Sequence, residues 1–288
     1  MSDNIETGVW VKYFRTLVKS FPRKRSRLAG LLKIMPPIAP KAKCLDIGTG
    51  SGGFALFYAE TADWTFVEPN GQHIAAANKV LRGNFVQSDG VTFLRDTTAA
   101  FDVITTIGTL YYIADRPIFF ALVRQRLRQG GHFIVSGDDL PASSVFYPLR
   151  RALGIIELDG GTPEAQSKKV KAELLAAGLQ IQREVRSTGA ATMAFQTLLD
   201  ALLVFWIRAH RRSASSPSRA RKDLLTIPVS AETKEARVKR FRYLPLRAAT
   251  EFCSLLDKAL WFLPRYDYVI WAKLILEELP NKTEETNV

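Results

Sequence analysis

The stretch Cys44–Gly53, CLDIGTGSGG, holds two overlapping glycine patterns. Gly48, Gly50 and Gly53 fit G-x-G-x-x-G, the spacing that suits the pyrophosphate of a nicotinamide or flavin dinucleotide. Gly48, Gly50 and Gly52 fit G-x-G-x-G, and Asp46 stands two residues before the first glycine. That second pattern suits S-adenosylmethionine. In either case glycines let the backbone approach a ligand closely and aim amides at it. Glu68 follows about twenty residues past the loop, where a carboxylate can accept from both hydroxyls of a ribose. Asp89, in QSDG, offers an acceptor for an adenine amino group. The loop and Glu68 serve both ligands and leave the choice open.

These residues need elements that bring them to one edge. From 43 to 137 short apolar runs alternate with helical stretches, the rhythm of an α/β sheet. Strands are expected at 42–48, 64–68, 84–89, 101–107 and 131–137. Helices are expected in GGFALFYAET, directly after the glycines, in QHIAAANKVL and through PIFFALVRQRL. LRQGG (127–131) reads as a tight turn into the fifth strand. Continuous apolar strands with crossover helices imply a parallel, doubly wound sheet covered on both faces. Beyond Asp139, SSVFYPLRRALG reads as a helix. AQSKKVKAELLAAGLQIQREVRS reads as a helix, a stop at Gly178 and a sixth strand. A late strand at 266–274 follows, which a dinucleotide domain does not require.

With these motifs in order, the sequence resembles the class I S-adenosylmethionine-dependent methyltransferases, in the broad group acting on small molecules and lipids. LDIGTGSGG matches the first motif, SDG the adenine-contacting motif, and FDVITTIGTLYYIAD the fourth-strand motif. LRQGG matches the turn before the fifth strand, with Gln129 where the family usually has Pro. The resemblance covers about 40–190 and 266–275. It implies a Rossmann-like, mostly parallel seven-stranded sheet whose last strand is antiparallel, which accounts for the late strand. It implies S-adenosylmethionine as cofactor. Asp46, Gly48, Thr49, Gly50 and Gly52 would form the loop, with Asp46 and Gly48 at the methionine end. Glu68 would hold the ribose and Asp89 and Gly90 the adenine, with Thr106 and Ile107 nearby. Tyr13 would reach the cofactor from an N-terminal lid.

Methyl transfer to a hydroxyl is aided by a general base. Open α/β sheets bind ligands at the carboxyl ends of their strands. The catalytic candidates there are Tyr111 and Tyr112 after strand four, and Asp138 and Asp139 after strand five. Related enzymes often carry histidine where Tyr111 and Tyr112 stand. The alternative for SGDD is a strand end leading into a helix cap. His73, His132 and His210 are placed too poorly to act as the base. Two adjacent carboxylates fall short of a metal site, and Cys44 and Cys253 have no metal-ligand spacing.

The chain is expected to divide into an N-terminal helical lid (1–40), a cofactor-binding core (41–189), a helical basic insertion (190–265), and the last strand with a C-terminal tail (266–288). Apolar residues make up 47% of the 288, enough for a globular core. The net charge of +12 is local: residues 1–33 carry eight Lys/Arg against Asp3 and Glu6, and 208–247 carry twelve against three acids. Such segments are either solvated faces or contacts for an anionic partner. In the insertion, Phe195, Leu198, Leu199, Leu202, Leu203 and Trp206 share a helical face beside Arg208, Arg211 and Arg212. TEFCSLLDKALWFLP repeats the pattern. Both stretches are too short to span a bilayer and suit either a pocket roof or an anionic membrane surface, through 195–212 and 249–263. The reading is a methyltransferase for a hydrophobic, lipid-linked or secondary-metabolite acceptor, most simply at oxygen. An RNA methyltransferase and a non-catalytic S-adenosylmethionine-binding partner are the alternatives; nucleic acid is the weaker partner because the fourth strand lacks Asn/Asp-Pro-Pro-aromatic. The polar N-terminus MSDNIETGVW has no signal character, so a cytoplasmic location is expected, with a peripheral position at the inner face of a membrane as its variant.

Overall fold

A computed structural model of the chain describes residues 2–59, 61–140, 143–156, 166–210 and 243–274. The Ser/Arg-rich stretch 211–223 and the tail beyond Leu274 lie outside the described residues, as do the side chains of Trp206, Arg208 and His210.

Seven strands form one sheet in the order β3-β2-β1-β4-β5-β7-β6. They are β1 (Lys43–Ile47), β2 (Asp63–Val67), β3 (Asn84–Val86), β4 (Phe101–Ile107), β5 (Leu127–Asp138), β6 (Leu179–Ser187) and β7 (Asp267–Leu274). β1 to β5 pair in parallel, and β7 runs antiparallel to both β5 and β6. The resemblance anticipates this arrangement. Alternate side chains of each strand go to opposite faces. Cys44, Val103 and Ile134 join one buried cluster with Trp64 and Phe66. Their neighbours Leu45, Ile104 and Phe133 join the other, with Phe119 and Phe120 of a crossover helix. A sheet apolar on both faces must be covered on both, and this one is.

Helices α1 (Ser2–Ser20) and α2 (Pro22–Ile34) precede the sheet. α3 (Gly71–Ala77), α4 (Gly90–Asp96) and α5 (Arg116–Arg126) follow β2, β3 and β4. After β5 come α6 (Phe146–Ala152) and α7 (Ser167–Ala176). α8 (Ala190–His210) and α9 (Leu244–Ala259) stand between β6 and β7.

Two local expectations change. Among its described residues, GGFALFYAET forms a single 3-10 turn, Ala55–Phe57, rather than a full helix. Gly52 and Gly53 supply little helical propensity, and Tyr58 leaves the helical region at φ −139° to bring its hydroxyl to Asp46 at 3.1 Å. LRQGG is not a turn outside the strand. Leu127 pairs with Phe101 and His132 with Val103, so four residues of β5 bulge opposite Asp102 alone. Gly130, at φ +73°, accommodates the bulge.

Candidate functional site

The loop after β1 turns on three left-handed glycines, Gly48 (φ +75°), Gly50 (+55°) and Gly52 (+80°). They are glycines for different reasons. A Cβ on Gly48 would sit 2.4 Å from the Thr109 side chain, and one on Gly52 would sit 2.8 Å from Leu81. A Cβ on Gly50 would meet nothing within 4 Å. Gly48 and Gly52 therefore seat the loop against its neighbours, and Gly50 leaves its crest open. Beneath the crest, Asp46 is buried and accepts from the hydroxyls of Thr49, Thr105 and Tyr58. Burial drives its carboxyl above the usual range, against the lowering effect of those bonds. Asp46 thus ties the loop to β4.

Glu68, only 7% exposed, follows β2 directly, beside the loop. The Gly50 N–H donates to its Oε2 at 2.9 Å, and the Asn70 N–H donates to its Oε1 at 3.1 Å. His73 Nδ1 lies 3.3 Å from the same Oε1. Burial pushes this carboxyl up, but His73, Asn70 and Gly50 outweigh it and hold Glu68 below its ordinary range. In the sequence His73 has only the character of a helix residue. Its signal was the spacing from Glu68, which places it on the first turn of α3.

Asp89 caps α4, accepting from the Val91 and Thr92 N–H groups. Its pKa is lowered by those bonds, the one from Thr92 foremost. A Cβ on Gly90 would come 2.4 Å from Ile47, so only glycine brings the start of α4 this close to the end of β1. Thr106 and Ile107 end β4, and the buried Thr106 hydroxyl has no partner among the described residues. Tyr13 lies buried in the same cluster as Ala55 and Ile107, packed edge-on to Trp10. Its helix covers the loop: Arg15 donates to the Leu56 carbonyl at 3.3 Å, and Val18 Cγ2 lies 3.1 Å from where a Gly53 Cβ would be.

Tyr111 and Tyr112 sit on a 3-10 turn after β4, with ring centroids 4.4 Å apart. Tyr112 is exposed. The two carboxylates after β5 are engaged by arginines. Asp138 pairs with Arg23 at 2.8 Å and with Arg27; Asp139 pairs with Arg186. Burial opposes ionisation of Asp138, but the two guanidiniums outweigh it and hold its pKa far below the carboxylate range. A carboxylate so held is a weak base at neutral pH. The same arginines grip the fully buried Asp267 at the start of β7, which also accepts from the Thr188 hydroxyl. Arg27 Nη1 lies 2.6 Å from where a Gly108 Cβ would be, so the guanidinium closes over the end of β4. Arg23 and Arg27 belong to the basic N-terminal segment, and their role was invisible without knowing which carboxylates α2 would meet.

The structure therefore gathers Asp46, the glycines, Glu68, Asp89, Thr106, Ile107, the tyrosines and Asp138 at the carboxyl edge of the sheet, under α1 and α2. A separate cavity of about 380 Å³ lies at the opposite edge, lined by Pro37, Asp102 and His132 among others, and shares no residue with this site. The carboxyl edge fits S-adenosylmethionine: an open glycine crest, an adjoining buried acid and an unpartnered hydroxyl at the end of β4. Among the described residues, no group of three or more His, Cys, Asp or Glu could hold a metal ion.

The sequence model of the methyltransferase domain family matches residues 18–173, more than half of the chain. The chain belongs to that family. It is a class I S-adenosylmethionine-dependent methyltransferase. No curated protein matches it in sequence. Among solved structures, the [4+2]-cyclase SpnF is 16% identical with a TM-score of 0.53, over 88% of this chain and 82% of that one. An S-adenosylmethionine-dependent methyltransferase from Archaeoglobus fulgidus is 16% identical with a TM-score of 0.52, over 86% and 94%. Phosphoethanolamine N-methyltransferase 2 from Haemonchus contortus, in complex with S-adenosyl-L-methionine, is 14% identical with a TM-score of 0.50, over 87% and 52%. A cyclase among these neighbours shows that the fold alone does not set the reaction. For this methyltransferase the acceptor must be argued from its own residues.

Proposed function

We propose that this methyltransferase transfers a methyl group to a hydroxyl oxygen of a hydrophobic, lipid-linked or secondary-metabolite acceptor. S-Adenosylmethionine supplies a methyl activated on a sulfonium. The protein's task is to hold acceptor and donor in line and to exclude water, an effect that can be large. Glu68 is the ribose acceptor, Gly48 and Gly50 form the cradle over Asp46, and Asp89 faces the adenine side. Tyr13 roofs the donor. Tyr111 and Tyr112 line the approach of the acceptor.

The observation that carries the reading is the state of the charges above β4 and β5. Arg23 and Arg27 are matched against Asp138 and Asp267, and Asp139 against Arg186. With these five groups committed to one another or to Arg186, the surface offered to an acceptor is the tyrosine pair. An uncharged, largely apolar molecule suits that surface, because a charged one would have to be desolvated without a partner. RNA is less suited for a related reason: Arg23 and Arg27 of the basic N-terminal segment are committed to Asp138 and the buried Asp267, and Arg25 pairs with Glu251 at the surface.

Donor labelled in its methyl group, incubated with the protein and with separated lipid, RNA, protein and soluble fractions of source cells, tests this. Label extracted into organic solvent and traced to a methyl ether supports the proposal. Label in RNA or protein overturns it, and donor binding with no transfer to any fraction favours a non-catalytic role.

A further inference from the structure

Helices α8 and α9 are turned inside out. The inward face of α8 carries Thr192, Gln196, Thr197 and Asp200, all buried. Its outward face carries Leu198, Leu202 and Phe205, and Phe205 is 73% exposed. These three recur at i, i+4 and i+7, one continuous stripe. Beside the buried Met193 and Val204, the inward side holds a polar lock: Arg150 of α6, 1% exposed, donates to Thr197 at 3.1 Å and to Asp200 at 2.9 Å, and Gln196 donates to Asp200 at 2.9 Å. α9 repeats the inversion. It buries Thr250 and Asp257, whose carboxylate accepts from the N–H groups of Gly189 and Ala191. It exposes Phe252, Leu255 and Leu256, and the turn after it exposes Trp261 (75%) and Phe262. α8 and α9 pack against each other, so the two inverted helices are neighbours.

An amphipathic helix normally buries its apolar stripe. Two neighbouring helices that bury carboxylates and present Leu, Phe and Trp outward make an apolar surface that marks a binding face. The surrounding charge says what it binds. Exposed Lys258 and half-buried Arg265 bracket Trp261 and Phe262 in the chain. The segment 211–242, which joins the two helices, contains ten Lys/Arg against three Asp/Glu, a net +7. Apolar faces that carry these bases, on helices joined in the chain by a strongly basic segment, match an anionic bilayer, where aromatic and aliphatic side chains enter the headgroup boundary and each nearby base adds attraction. A second copy carries the same net charge of +12, which opposes the pairing of two like faces.

We propose that the outward faces of α8 and α9 form a peripheral docking surface for an anionic phospholipid membrane. The apolar side chains would insert only to interfacial depth, since among the described residues no helix is long and apolar enough to cross a membrane. The proposal goes beyond the acceptor reading and does not need it: vesicle binding requires no methyl transfer, so either can fail alone.

The test is flotation of the full chain with phosphatidylcholine vesicles, with and without phosphatidylglycerol, at low and high salt. Two double variants accompany it, L202S/F205S and F252S/L255S. All four positions are exposed, so unfolding temperatures should match the wild type. The expected result is flotation with the anionic vesicles only, weakened by salt, with partitioning reduced more than about tenfold in each variant. Three results would overturn the proposal: no flotation of the wild type; flotation unchanged in the variants; or a wild-type dimer in sedimentation that the variants dissociate, which would make the face a contact between copies.

Discussion

Glu68 stays ionised in a nearly buried position because donors converge on it from the loop, from Asn70 and from His73. Its native pKa lies below that of the unfolded chain. It therefore adds stability above the unfolded value and loses that contribution as pH falls through the native value. Urea unfolding at a series of pH values checks this. Glu68→Gln should be less stable than the wild type near pH 7, and the gap should close in acid; a gap independent of pH would contradict it. Arg27 carries a larger load. It shares Asp138 and the buried Asp267 with Arg23. Arg27→Met leaves two carboxylates to one guanidinium and should cost about 3 kcal/mol by the same measurement. A loss under about 1 kcal/mol would mean that Arg23 suffices.

At the scale of elements, what could be read in advance divides cleanly by physical cause. β1 and β4 were legible because a strand buried on both faces is rich in apolar and β-branched residues without helical spacing, as in CLDI and FDVITTI. The glycine loop was legible because close approach and positive φ leave few alternatives. The stretch after it was not, since Tyr58 gives up helical geometry for a contact with Asp46, and such a contact is long-range information. α8 shows the sharper limit. Its apolar face could be seen in the sequence, but periodicity does not say which face turns inward. Leu198 and Leu202 of that face are exposed, and Phe195, Leu199 and Leu203 are half-buried. The answer lay in Arg150, forty-seven residues from Thr197 and fifty from Asp200. Two substitutions on this one helix should therefore behave contrary to hydropathy. Asp200→Ala strands a buried guanidinium and should lose about 3–5 kcal/mol. Leu202→Ser should stay within about 0.5 kcal/mol. Thermal unfolding of both distinguishes this from a helix packed in the usual sense, which would reverse the order.

For the whole molecule, the sheet order places β1, β2, β4 and β5 with their carboxyl ends under α1 and α2, and the donor site follows from that single arrangement. Gly50 is open, Glu68 adjoins it, and the charges beyond β5 neutralise one another. The account depends most on Glu68 acting as the ribose acceptor at that edge. Isothermal calorimetry of S-adenosylmethionine with the intact chain and with Glu68→Gln measures it directly. The account predicts one donor per wild-type chain and a loss of about tenfold or more in affinity for the variant, the worth of a charge-assisted hydrogen bond. Wild-type affinity in the Gln variant would contradict it and place the donor elsewhere on the molecule.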